Sequence, residues 1–139
     1  MFLVRLIYTS SKCEGFEAGD IEQILTTARQ KNAAHSVTGM LCFSKSHFLQ
    51  CLEGSRQAVN ETYNRILGDS RHRDLVILDY SEISARSFQD WSMGYVPDSS
   101  LTRGVIVRHS SSCDFDPASM SAASAYEMLL SASQVVPAA

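Results

Sequence analysis

The stretch His47-Phe48-Leu49-Gln50-Cys51-Leu52-Glu53-Gly54 reads as a β-strand with one residue out of place. Period-2 alternation puts Phe48, Gln50 and Leu52 on one face. A primary amide on that face carries two donors and an acceptor, and leaving them unpaired costs about 1–3 kcal/mol. Something polar must therefore reach into the core beside Gln50. The first strand, Leu3 to Thr9, offers a candidate: Val4, Leu6 and Tyr8 share a face, so a phenol points where aliphatic side chains point. A tyrosine and a glutamine on the core faces of two strands point to a buried polar ligand between them.

Working outward, a polar loop (Ser10 to Gly15) precedes a helix expected to start near Asp20 as N-cap, with Gln23 in capping-box position. Ile21, Ile24, Leu25 and Ala28 follow the i, i+3, i+4, i+7 spacing of a buried helical stripe, and Lys31 and Asn32 fall at its C-terminal end. Ser36 to Phe43 reads as a second strand, joined by the short link Ser44-Lys45-Ser46 to the Gln50 strand as a hairpin. Ser55 is the expected N-cap of a second helix with Ala58, Val59, Thr62, Tyr63, Ile66 and Leu67 inward and Gly68 at its end. Leu75 to Tyr80 is a fourth strand and Trp91 to Val96 a fifth, closed by Pro97. Trp91 and Met93 then share one strand face.

This order predicts an α+β fold: a ferredoxin-like βαββαββ sheet with two helices on one face. Leu3, Ile7, Leu49 and Cys51 make the other face apolar, so it needs a cover. After the serine-rich linker at Ser110-Ser111-Ser112, residues 117–131 supply an amphipathic segment with Met120, Ala123, Tyr126, Leu129 and Leu130. The expected division is a domain over 1–97 and a C-terminal linker and helical cap over 98–139. Rich in alanine and serine, the cap is expected to bury modest area and be held loosely.

The chain has 139 residues, 45% hydrophobic and 19% charged, as in an ordinary globule large enough for one core. A net charge of −3 argues against a general nucleic-acid binder, since phosphate contacts need clustered cations. No apolar run approaches the roughly 20 residues of a membrane span, and the N-terminus lacks the basic and apolar blocks of a signal peptide. The expected location is cytoplasmic. Cys13, Cys42, Cys51 and Cys113 lack C-x-x-C pairing, and the four histidines form no ligand spacing, so no metal site is expected.

Tyr8, Asn32, the run Ser36-Val37-Thr38-Gly39-Met40-Leu41, the strand Phe48 to Gly54, Asp69-Ser70-Arg71-His72 and Trp91-Ser92-Met93 occur in order over about residues 1–97. Together they resemble the blue-light-using-flavin (BLUF) photoreceptor domain. N-x6-G followed by F-x-Q-x-x-E-G and a later W-x-M carries the resemblance, since each piece alone is weak. The resemblance implies a noncovalent flavin, FAD or alternatively FMN, with its ring between the two helices. The site it implies comprises Tyr8, Ile24, Ala28, Lys31, Asn32, Leu41, Phe48 and Gln50 around the ring, with Arg65, Asp69, Arg71 and His72 on the phosphate side. Ile24, Ala28, Leu41 and Phe48 suit the apolar part of the ring, the Asn32 amide can both accept and donate along its polar edge, and Gln50 would reach that edge on one side and the Tyr8 hydroxyl on the other.

The implied photochemistry is a transient loss of an electron and a proton from Tyr8, leaving Gln50 rearranged by rotation or tautomerisation. Trp91 and Met93 are the implied output residues, acting on the tail, a self-association surface or a downstream protein partner; a homo-oligomer is expected. The competing readings are an acylphosphatase-like enzyme, whose anion loop would want an arginine where this loop has Lys12 and Gly15, and a ligand-binding regulatory domain without flavin. The resemblance favours a sensor without substrate turnover.

Overall fold

The computed structural model describes residues 2–134. Five strands, β1 (Leu3–Lys12), β2 (Thr38–Ser44), β3 (His47–Ser55), β4 (His72–Ile83) and β5 (Gly94–Val96), form one sheet in the order β4-β1-β3-β2-β5. The first four pair antiparallel and β5 runs parallel to β2, giving the mixed sheet of a ferredoxin-like fold with an added strand. Helices α1 (Ala18–His35) and α2 (Arg56–Leu67) cover one face; α3 (Arg103–His109) and α4 (Ala122–Ser133) cover the other.

Local chemistry sets the element ends. The Asp20 carboxylate accepts the Glu17 backbone N–H at 3.0 Å, so α1 is capped from Glu17, three residues before the expected N-cap. The helix runs to His35, where Ser36 turns left-handed at φ 56 and the Val37 N–H reaches the Asn32 carbonyl at 2.9 Å. Asn32 therefore lies inside the last turn and does not end the helix. Ser55 caps α2 as expected, its hydroxyl accepting from the Ala58 N–H at 3.2 Å.

Two cores share the sheet. Val4, Leu6, Tyr8, Leu41, Phe48 and Leu52 pack with Ile21, Leu25 and Val59 under α1 and α2. Ile7, Met40, Cys42, Leu49 and Cys51 pack with Phe115, Met120, Ala125, Met128 and Leu129 on the far side. Burying Met128 and Leu129 completely contributes about 1.5–3 kcal/mol each. The tail thus packs more deeply than its composition implied. Its buried row is Ala125, Met128, Leu129 and Ala132, while Ala123 is exposed and Leu3 of the sheet lies only half-buried. The segment expected to be linker also contains α3, whose Ile106 is buried against the same core.

The fifth strand is shorter than expected. It covers only Gly94–Val96, because Trp91, Ser92 and Met93 belong to the connection that crosses from β4 at one sheet edge to β5 at the other. Free of strand alternation, Trp91 packs against the far-side core and Met93 into the α1/α2 core. They do not share a face.

Candidate functional site

Tyr8 and Gln50 are direct cross-strand partners in the β1–β3 ladder, and the Tyr8 hydroxyl donates to Gln50 Oε1. Both are buried. On its other side Gln50 Nε2 donates to Met93 Sδ at 3.3 Å. Each polar atom of the amide therefore has one protein partner, with the second Nε2 hydrogen left over, and among the described residues no buried side-chain N or O lacks a partner. The expected contact of Gln50 with the Tyr8 hydroxyl is present, so the space for a ligand lies beside the pair and not between its two members. Burial, with Tyr63 and Asp69 adding repulsion, pushes the Tyr8 phenol well above its usual range and keeps it neutral. The Tyr63 ring stands edge-on to Tyr8 with centroids 5.5 Å apart.

Beside this pair a cleft of about 520 Å³ opens between α1, α2 and the sheet. All twelve residues assigned to the cofactor on sequence grounds line it: Tyr8, Ile24, Ala28, Lys31, Asn32, Leu41, Phe48, Gln50, Arg65, Asp69, Arg71 and His72. Its size lies within the roughly 300–1,000 Å³ of cofactor pockets. Ile24, Ala28, Leu41 and Phe48 supply apolar wall. Asn32 is buried at 1% exposure and donates from Nδ2 to the Ser92 carbonyl at 2.8 Å, which uses one of its two donors. Thr27, Thr62 and Ile66 also line the cleft without having been assigned to it, although Thr62 and Ile66 were expected on the inner face of α2. Helical spacing could have found them: Thr27 precedes Lys31 by one turn, and Thr62 and Ile66 flank Arg65 on one helix face.

The rim carries Lys31, Arg65 and Arg71. Asp69 grips Arg71 through Nε and Nη2, the latter at 2.7 Å, and this pairing holds the carboxyl below its usual range and raises the guanidinium. Arg71 is thereby oriented, though partly neutralised. His72 is engaged within the protein: Nε2 lies 2.8 Å from the Ile66 carbonyl and Nδ1 2.8 Å from the Ser10 hydroxyl. Since a carbonyl only accepts, Nε2 bears the proton. The ring stands edge-on to Phe48 at 5.8 Å, so His72 builds wall and has no free ring nitrogen for a phosphate.

The Trp91–Met93 connection is tied down by backbone. The Gly39 N–H donates to the Trp91 carbonyl at 3.1 Å, and Arg29 Nε to the Met93 carbonyl at 3.0 Å. A β-carbon on Gly39 would fall 2.0 Å from the Cys51 carbonyl oxygen, which requires glycine there.

A cleft walled by apolar side chains, with amides at its floor and cations at its rim, fits a planar heteroaromatic ring carrying a phosphate tail. Residues 3–94 match the BLUF family, described as sensors of blue-light using FAD. The chain is 37% identical over 86 residues to the blue light- and temperature-regulated antirepressor BluF of Escherichia coli (strain K12), an alignment covering 62% of this chain and 21% of the relative. It superposes on BlsA in its ground state with a TM-score of 0.83 and 31% identity, over 92% of this chain and 87% of that one. The dark-state structure of BlrB, a BLUF protein, gives 0.80 and 30%, over 94% of each chain. The chain spans 11–21% of the length of the curated relatives it matches first. No described helix is long and apolar enough to cross a membrane.

Proposed function

The chain belongs to the BLUF family, so residues 3–94 form a flavin-binding blue-light sensor domain, and we propose that its signal is generated by rearrangement of the Gln50 amide between Tyr8 and Met93. The observation that carries this reading is the chain of contacts Tyr8 to Gln50 to Met93, of which Tyr8 and Gln50 line the cleft. Ile24, Ala28, Leu41 and Phe48 hold the flavin ring, Asn32 and Gln50 meet its polar edge, and Lys31, Arg65 and Arg71 receive the phosphates, with Asp69 orienting Arg71. FAD is the expected flavin, with FMN the alternative. The bound flavin supplies the absorption of blue light and, once excited, a one-electron oxidant.

The protein's own part follows from its geometry. Burial keeps the Tyr8 phenol protonated, and its O–H already points at Gln50 Oε1, so a proton leaving with an electron has a ready acceptor and a short way back. A half-turn of the Gln50 amide would place NH₂ against the Tyr8 oxygen, which can accept it, and C=O against Met93 Sδ, which cannot donate. One contact is then lost, a cost on the order of 1 kcal/mol, so the rearranged state decays thermally. The sensor cycles without consuming a substrate.

For output, Met93 is the residue that touches Gln50, and Trp91, two residues earlier, carries the change to the far-side core and α4. The receiver is a protein partner or a second copy of this chain in the cytoplasm, and residues 98–139 act as the transmitting cap to the sensor over residues 1–97. An absorption spectrum of the purified protein before and after blue illumination tests the reading. A flavin spectrum that shifts reversibly to the red is expected. A colourless preparation that takes up no added flavin, or a bound flavin without the shift, refutes it.

A further inference from the structure

Glu53 is fully buried on β3, three residues beyond Gln50, and the chemistry above does not use it. Its carboxylate takes three donors. Oε2 accepts the Ser87 N–H at 2.7 Å; Oε1 accepts the Phe88 N–H at 2.9 Å and the Thr38 hydroxyl at 3.1 Å. Arg86 closes the arrangement from outside, donating to Thr38 Oγ1 at 2.8 Å, the Glu53 carbonyl at 3.1 Å and the Ser36 carbonyl at 2.7 Å. An acceptor-only group faced by three donors is the economical way to pin an irregular backbone inside a protein.

What it pins is the connection between β4 and β5. Phe88, held through its N–H, is itself fully buried, and its carbonyl accepts the Trp91 N–H at 3.1 Å. Trp91 in turn binds Gly39, and Met93 two residues later meets Gln50. Ser87 also shares a 2.6 Å hydrogen bond with Tyr126 of α4. One carboxylate thus stands at the branch between the Gln50 contact and the C-terminal cap.

We propose that Glu53 is a positioning residue for the photocycle: by gripping the Ser87 and Phe88 amides it presents Met93 Sδ to Gln50 and so sets how fast the rearranged amide returns. The proposal rests on the Gln50 reading given above. When the grip loosens, the Nε2–Sδ contact no longer favours the original arrangement and the sulfur no longer opposes the rearranged C=O, so reversal in the dark becomes slower.

The test is Glu53→Gln in the flavin-loaded protein. The amide nitrogen would face a backbone N–H, donor against donor, so exchange of the Ser87 and Phe88 amides should accelerate in the dark. Flavin occupancy and the size of the red shift should remain, with dark recovery slower on the order of tenfold. In a Met93→Leu background, which already lacks the sulfur, the same substitution should change recovery by less than about twofold. Unchanged or faster recovery, or the same slowing in both backgrounds, overturns the proposal and leaves Glu53 a purely structural anchor. If Glu53→Gln fails to fold, Thr38→Val removes one of the three donors, and unaltered recovery in that variant overturns the proposal equally. A wild-type protein with no reversible red shift would instead refute the premise, and amide exchange in Glu53→Gln would still report on the grip itself.

Discussion

The Tyr8–Gln50 hydrogen bond joins two buried groups, so a double-mutant cycle on it has a calculable outcome. Tyr8→Phe keeps the ring and its edge contact with Tyr63 but leaves Gln50 Oε1 without a donor. Gln50→Leu is close in volume but strands the Tyr8 hydroxyl in the core and removes the donor to Met93 Sδ. Each single change leaves a buried polar group unpaired, a cost of about 1–3 kcal/mol. The double variant Tyr8→Phe/Gln50→Leu leaves neither, and apolar replacement of both partners is nearly neutral. It should therefore be more stable than the sum of the singles by about 2–6 kcal/mol, equivalent to roughly 6–25 °C in Tm for a chain of this size. Urea unfolding followed by far-ultraviolet circular dichroism measures this in flavin-free protein, and absorption in the flavin-loaded form measures the red shift. All three variants should lose the shift while still binding flavin. Strict additivity of the two stability changes, or a normal reversible shift in either single variant, would refute the reasoning.

Three further outcomes follow from the same geometry. Asn32→Ala should lower flavin retention more than Lys31→Ala, because Asn32 is buried on the cleft floor whereas a flexible rim charge is screened; equal occupancy after gel filtration would remove Asn32 from contact with the ring. Gly39→Ala sets a β-carbon 2.0 Å from a carbonyl oxygen and should destabilise by about 3 kcal/mol or more, seen as a fall in the urea midpoint. Folding raises the Tyr8 pKa above its ordinary value of 10.0, so its contribution to stability is complete below about pH 10 and declines as pH rises further, where the unfolded phenol ionises first. Tyr8→Phe should flatten that alkaline decline without abolishing it, since burial raises Tyr63 and Tyr95 as well; an identical decline in wild type and variant would show that Tyr8 is not its source.

Much of this was legible in the chain itself, because strand alternation and helical spacing are local properties. Alternation in β1 and β3 puts Tyr8 and Gln50 on one face whatever else folds around them. The i, i+4 spacing of Ile24, Ala28 and Asn32 likewise aligns one wall of the cleft, and Ser55 announces the start of α2 by its capping chemistry. Register was not legible. The resemblance implied that Gln50 reaches the Tyr8 hydroxyl, but alternation alone could not, and only tertiary pairing makes the two direct cross-strand neighbours. The connection before β5 was misread for a related reason. Trp91, Ser92 and Met93 look like strand, but their conformation is imposed by distant groups: Gly39, Arg29 and the Glu53 grip upstream. Those partners lie tens of residues away, beyond the reach of any periodicity, and they send Trp91 and Met93 into different cores. His72 follows the same rule. Its type and place in the chain suited a phosphate, and only packing against Ser10 and Ile66 revealed that both ring nitrogens were taken.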